Sequence, residues 1–81
     1  MYTAEPIEYE AAKRFDQRHG GPFDRGSADS YYGRGYNPHC YVGATATSTR
    51  VELADMSVED IVAYTAGYNW NEQWGDRKNY D

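Results

Sequence analysis

Few side chains in this 81-residue chain have types and spacing that suit covalent chemistry. His39 and Cys40 are adjacent and invite a thiolate–imidazole reading. That pairing needs the two groups aimed at each other, normally from separate parts of a fold. Cys40 reads instead as a small buried hydrophobe or an idle loop thiol, and His39, after Pro38, as a turn residue packed on a ring or bonded to backbone. Asp24, Asp29 and Glu72 show no partner for paired acid–base work. Asp24 and Asp29 read as caps or as ion-pair partners of Arg25 and Arg34. One cysteine excludes an internal disulfide, and with two histidines (His19, His39) leaves too few ligands for a closed zinc site. No catalytic residue, metal or cofactor is expected, and the chain reads as non-enzymatic.

Binding chemistry is better represented. Arg25, Arg34, Tyr36, His39 and Tyr41 place cations among rings in the middle of the chain. Guanidinium groups contact phosphates and rings stack on bases, so this set is the candidate RNA- or partner-binding surface. Gly20-Gly21 and Gly33-Arg34-Gly35 do not qualify as phosphate loops, since neither lies between a hydrophobic strand and a helix. Charge follows the same division. Residues 1–12 carry a net −3, residues 13–50 a net +3 and residues 51–81 a net −5. An anion-binding middle shielded by acidic ends and a solvated mixed-sign surface both fit this split. The overall −5 argues against tight non-specific nucleic-acid binding, which needs many phosphate contacts. A second reading makes the chain an acidic protein-binding inhibitor of an enzyme or defence system. Glu52, Asp55, Glu59 and Asp60 would then meet a basic site, with Trp70 and Trp74, four apart on one helical side, as interface anchors.

The elements that position these residues follow from periodicity. Nine Tyr, two Trp and two Phe accompany only two Ile, one Leu and four Val, so tyrosine must supply much of a thin core. Its hydroxyls must then reach water or a partner. The pattern over 4–18 predicts a helix, or an N-terminal arm over 1–20, stopped by Gly20-Gly21-Pro22. A short helix is expected over 24–33, capped by Asp24 or Ser27, with Ala28, Tyr31 and Tyr32 as its apolar side and Asn37-Pro38 as a turn. Residues 39–56 read as a loop with at most fragments of strand, or a short hairpin built from Cys40-Tyr41-Val42 and Arg50-Val51-Glu52-Leu53. Residues 57–74 are the strongest helix, with Ser57 as N-cap, Asp60 three residues on and Gly75 as its end. Gly67 inside it implies close approach by another backbone or a bulky ring. A polar tail over 76–81 follows. The expected fold is mainly α: a single small domain of two to three helices with a loop or short hairpin connector, with a homodimer as one way to enlarge the core. The expected setting is intracellular, as one cysteine and no apolar signal region after Met1 suggest, and away from membranes, because no run of about 18 apolar residues occurs.

Two blocks of the sequence carry a resemblance. One is Asp24-Arg25-Gly26-Ser27-Ala28-Asp29-Ser30-Tyr31-Tyr32-Gly33-Arg34 followed by Asn37-Pro38-His39. The other is Ala63-Tyr64-Thr65-Ala66-Gly67-Tyr68-Asn69-Trp70-Asn71-Glu72 followed by Gly75-Asp76-Arg77-Lys78. Together they resemble small early proteins of large tailed bacteriophages, a group that includes modifiers of suppressor tRNAs (Cef). More distantly, Arg25-Gly26, Gly33-Arg34, Pro38 and Tyr64, Gly67, Tyr68 are similar to a pattern in the ribosome modulation factor family. The resemblance covers residues 23–42 and 57–78. It implies two helices that cross closely at glycines, and an accessory protein that acts in the host cytoplasm on RNA or a ribonucleoprotein of the translation apparatus. The chain departs from the second family in being acidic and in carrying extra residues over 43–56.

Overall fold

Ser57 followed by Asp60 is the clearest helix-start signal in the chain, and the computed structural model shows it in use: Ser57 Oγ accepts from the Asp60 N–H at 3.1 Å. The structure describes residues 15–45 and 47–75. In chain order they form α1 (Pro22–Tyr31), β1 (His39–Tyr41), β2 (Arg50–Glu52), a short 3-10 turn (Leu53–Asp55) and α2 (Val58–Trp74). The fold is thus two helices plus a short antiparallel hairpin. Tail residues 76–81 and most of the helix expected over 4–18 lie outside the described residues. Its final part, Phe15–Arg18, is described and is not helical. Asp16 Oδ1 accepts from the Arg18 N–H at 3.0 Å, a local turn that competes with helix.

The two helices meet backbone to backbone. A Cβ added to Gly26 would stand 2.0 Å from the Tyr64 carbonyl oxygen, and one added to Gly67 would stand 2.0 Å from that of Phe23. This close approach explains Gly67 in mid-helix. It also corrects the expected face of α1. Phe23, Gly26, Asp29 and Ser30 are buried against α2, whereas Ala28 and Tyr31 are half-buried and Tyr32 is 42% exposed. Helices that touch at a glycine cannot also place two tyrosines between their axes. The start of α1 differs as well. It begins at Pro22 with Gly21 as N-cap and no side-chain cap. Proline at this position loses no helical hydrogen bond and arrives with a helical φ. Asp24 accepts instead from the Gly20 N–H at 2.9 Å, and Ser27 lies inside the helix.

The hairpin, not a loop, connects the helices. β1 and β2 pair in the register His39 with Glu52, Cys40 with Val51 and Tyr41 with Arg50. Two strands alone are marginal in water. Here the Cys40 and Val51 side packs with Met56, Ile61, Tyr64 and Tyr68, which supplies the missing burial. Ser48 organises the connecting turn, accepting from the Gly43 N–H and donating to the Ala44 carbonyl. Arg18 ties the preceding segment down, donating from Nη2 to the Tyr41 carbonyl at 2.9 Å.

Tyrosine supplies the centre of the core. Tyr64 is fully buried, and Tyr36 meets both Tyr64 and Tyr68 edge-to-face at 5.5 and 5.6 Å. A smaller cluster of Phe23 and Ala66, with Phe15 and Trp70 packed against it, lies across the helix crossing. No described helix is long and apolar enough to cross a membrane.

Candidate anion-binding cleft

The end of α1 sets the geometry of one side of a cleft. Gly33 adopts a left-handed φ of 67°. The Gly33 N–H then bonds the Ser30 carbonyl and the Arg34 N–H bonds the Asp29 carbonyl, the paired bonds of a Schellman end. That turn folds Arg34 back over the helix it has just left. Its Nε donates to Asp29 Oδ1 at 2.9 Å, and its guanidinium carbon lies 4.7 Å from the centre of the Tyr32 ring. The side chain is still 48% exposed.

Asp29 is the buried centre of the network at 2% exposure. Its other oxygen, Oδ2, accepts from the Tyr64 hydroxyl, which itself accepts from the Asn37 N–H at 3.0 Å. Both carboxylate oxygens are therefore satisfied by donors, as a buried charge requires. Burial, and then the bond to Asp29, push the Tyr64 hydroxyl far above the usual tyrosine range. Tyr64 is thus a fixed donor to Asp29 at neutral pH.

His39 comes from β1. Its Nδ1 lies 2.9 Å from the Asn37 carbonyl and 3.5 Å from Asp29 Oδ2. Its Nε2 accepts from Arg25 Nε at 3.3 Å. A ring that donates from Nδ1 and accepts at Nε2 is the neutral tautomer, assigned here from its partners. Arg25, on α1, is nearly buried and lies with its guanidinium carbon 5.8 Å from the centre of the Tyr41 ring. Arg50, on β2 and paired across the ladder with Tyr41, forms an exposed ion pair with Glu52. Glu52, and to a lesser degree Tyr41, raise its already high pKa, so its charge is permanent.

Arg25, Asp29, Arg34, Asn37, His39, Tyr41 and Arg50 line one cleft of about 440 Å³. Three guanidiniums face one internally satisfied carboxylate and one neutral imidazole, so the walls carry excess positive charge on a chain whose net charge is −5. Such a wall holds anions, with guanidinium forks matched to phosphate or carboxylate oxygens.

The structure brings Arg25, Arg34, His39 and Tyr41 to this cleft. It places Tyr36 elsewhere: its ring lies between Tyr64 and Tyr68, and its hydroxyl bonds Thr65. Trp70 and Trp74 do not line the cleft. Their rings lie 6.0 Å apart, with Trp70 packed on the Phe23 cluster and Trp74 58% exposed. Sequence reasoning assigned no binding role to Asp29, Asn37 or Arg50. For Arg50 the signal was available, because pairing the two strand-like runs sets it opposite Tyr41. Asp29 carried a weaker one, as the anticipated partner of Arg34, but its burial depends on the helix crossing.

Cys40 does not join His39 in chemistry. Successive residues of a strand point to opposite faces, and Cys40 packs with Met56 and Tyr64 in the core. Burial, with Asp60 adding, pushes its thiol up and disfavours the thiolate. Among the described residues, no three His, Cys, Asp or Glu side chains are grouped as metal ligands would be. No family model, curated protein or solved structure matches the chain.

Proposed function

We propose that this chain is a non-enzymatic RNA-binding protein whose contact with RNA phosphate is the Arg25–Arg34–Arg50 cleft. One observation carries the reading: three guanidiniums from α1, the connector and β2 converge on one cleft of a net-acidic chain. Acidic surfaces elsewhere repel a polyanion, so affinity depends on this local wall and on few contacts. Tyr32 and Tyr41, beside Arg34 and Arg25, add ring surface for a neighbouring base. The resemblance of residues 23–42 and 57–78 directs the reading to host tRNA or ribosomal RNA in the host cytoplasm.

The test is RNA binding by the wild-type chain and by the double variant Arg25→Ala, Arg34→Ala, with Arg50→Ala as an independent exposed-site variant. Binding falls at least tenfold in both, and removing two phosphate contacts shallows the dependence of log affinity on log salt by about 1.4 for single-stranded RNA. Unchanged affinity in folded Arg50→Ala and in the double variant overturns the proposal.

A second reading has its own observation. Glu52, Asp55 and Glu59 are exposed and close in sequence to exposed Leu53, Val58 and Val62, a mix of acidic and apolar side chains that suits a basic protein partner. If neutralising Glu52, Asp55, Glu59 and Asp60 left capture of a host protein intact, this reading would fail.

A further inference from the structure

We infer that the cleft takes a terminal phosphomonoester dianion, the phosphate at an RNA end or on a free nucleotide, in preference to an interior phosphodiester. The inference rests on the anion-binding reading above and specifies its ligand. Three features of the cleft carry it.

The first is shape. The walls come from α1, the segment after it, β1 and β2, and the lining includes buried Asp29 and His39. A terminal phosphate enters such a space with chain on one side only. An interior phosphate has chain on both sides and must cross the mouth. The volume of about 440 Å³ falls in the range of small-ligand sites and leaves room for a sugar behind the phosphate.

The second is charge. Among the lining residues, Arg25, Arg34 and Arg50 against Asp29 leave a net +2 with His39 neutral, while Glu52, paired with Arg50, and Asp24, 3.9 Å from Arg25, lie outside the lining. A phosphomonoester carries about −1.5 to −2 at pH 7, whereas each phosphodiester carries −1. The dianion therefore gains more from the three lining guanidiniums than a monoanionic diester does. Asp29 does not oppose entry, because its two oxygens are held by Arg34 and Tyr64.

The third is donor count. A monoester presents three non-bridging oxygens and a diester two. Three guanidiniums from three directions match the former. Tyr41, whose ring borders the cleft beside Arg25, gives the attached base a surface to stack on.

The experiment is calorimetric titration of the whole chain with a nucleoside 5′-monophosphate, the 3′-monophosphate, the free nucleoside and a dinucleoside phosphodiester. In parallel, one RNA oligonucleotide is compared with a 5′-phosphate, a 3′-phosphate and hydroxyl ends. The expected result is at least tenfold tighter binding of the phosphorylated ligand in each series, and loss of that preference in Arg50→Ala and in Arg34→Gln at unchanged circular dichroism. The mononucleotide arm separates a free nucleotide from an RNA end, and the 5′ and 3′ arms identify which end is held. Equal affinity for phosphorylated and hydroxyl ends overturns the inference, while an Arg-dependent affinity common to both leaves RNA binding standing. Mononucleotide binding without RNA binding supports the inference and removes the RNA reading. Tighter binding of a phosphoserine peptide than of either ligand overturns the assignment to a nucleotide phosphate. No binding of any phosphorylated probe overturns both.

Discussion

The helix crossing and the cleft share α1, yet opposite rules govern them. At the crossing, Gly26 and Gly67 present no side chain, and each carbonyl opposite lies where a Cβ would be. Next along α1 from Gly26, Arg25 sends a long side chain to His39 and Tyr41, and Asp29, one turn on, collects Arg34 and Tyr64. Sterics decide the first region, with one admissible residue type at each glycine. Charge and hydrogen bonding decide the second, where several residue types would fit the space but few would satisfy the buried carboxylate. The crossing therefore holds the fold, and the outer arginines of the cleft, Arg34 and Arg50, keep part of each side chain exposed to a ligand.

The sharpest way to break this comparison is Gly67→Ala. Its methyl group would press on the Phe23 backbone, which cannot rotate away as a side chain would. Overpacking of this kind costs about 3 kcal/mol or more, against a total stability of about 4–12 kcal/mol for a chain this size. Urea unfolding should show a quarter or more of the stability gone; a near-wild-type midpoint would mean the helices separate without cost.

Next comes Tyr64→Phe, which links the two regions. It removes a donor from buried Asp29 and an acceptor from the Asn37 N–H, and should cost about 1–3 kcal/mol. It also changes the alkaline limb. Below about pH 10 the folded and unfolded chains both keep the Tyr64 proton, so it adds no pH slope. Above that, the unfolded chain releases a proton that the folded chain retains, because burial and Asp29 raise the folded value. Stability therefore falls as pH rises past about 10, and it should fall less steeply in Tyr64→Phe when chemical denaturation is repeated at pH 8 and pH 10.5.

Ser57→Ala tests the start of α2, away from both regions. Losing the bond to the Asp60 N–H should cost about 1 kcal/mol, read as a lower thermal midpoint with RNA affinity unchanged.

Arg50→Ala has the smallest expected effect on stability. Its ion pair with Glu52 is exposed on both sides, and such pairs contribute about 0–1 kcal/mol. A thermal midpoint close to wild type together with at least tenfold weaker ligand binding would sharpen the division between fold and cleft. A large drop in midpoint would erase it.

Local signals were legible wherever the cause was local. The capping pair Ser57 and Asp60, the end of α2 at Gly75 and the two strand-like runs all appear at or within a residue or two of their predicted places. The need for tyrosine in the core, with bonded hydroxyls, followed from the scarcity of aliphatic residues and is met by Tyr36 and Tyr64. Gly67 advertised a close approach because glycine has a cost inside a helix that a packing advantage must offset. Which face of α1 packs was not legible. Ala28, Tyr31 and Tyr32 are the more apolar set, but the touching backbones at Gly26 select Phe23, Gly26 and Ser30 instead. The choice between loop and hairpin over residues 39–56 was open for a similar reason: three-residue strands persist only because the helices cover one side of them.

From the sequence alone came the two helices, the aromatic core and the basic, ring-rich middle that contains Arg25, Arg34, His39 and Tyr41. Tertiary structure decided the rest: that these four meet Arg50, that Asp29 lies buried beneath them, and that Tyr36 belongs to the core. Capping and periodicity act within a few residues, whereas a cleft is made by residues far apart in the chain, brought together by a helix crossing that sequence periodicity does not encode.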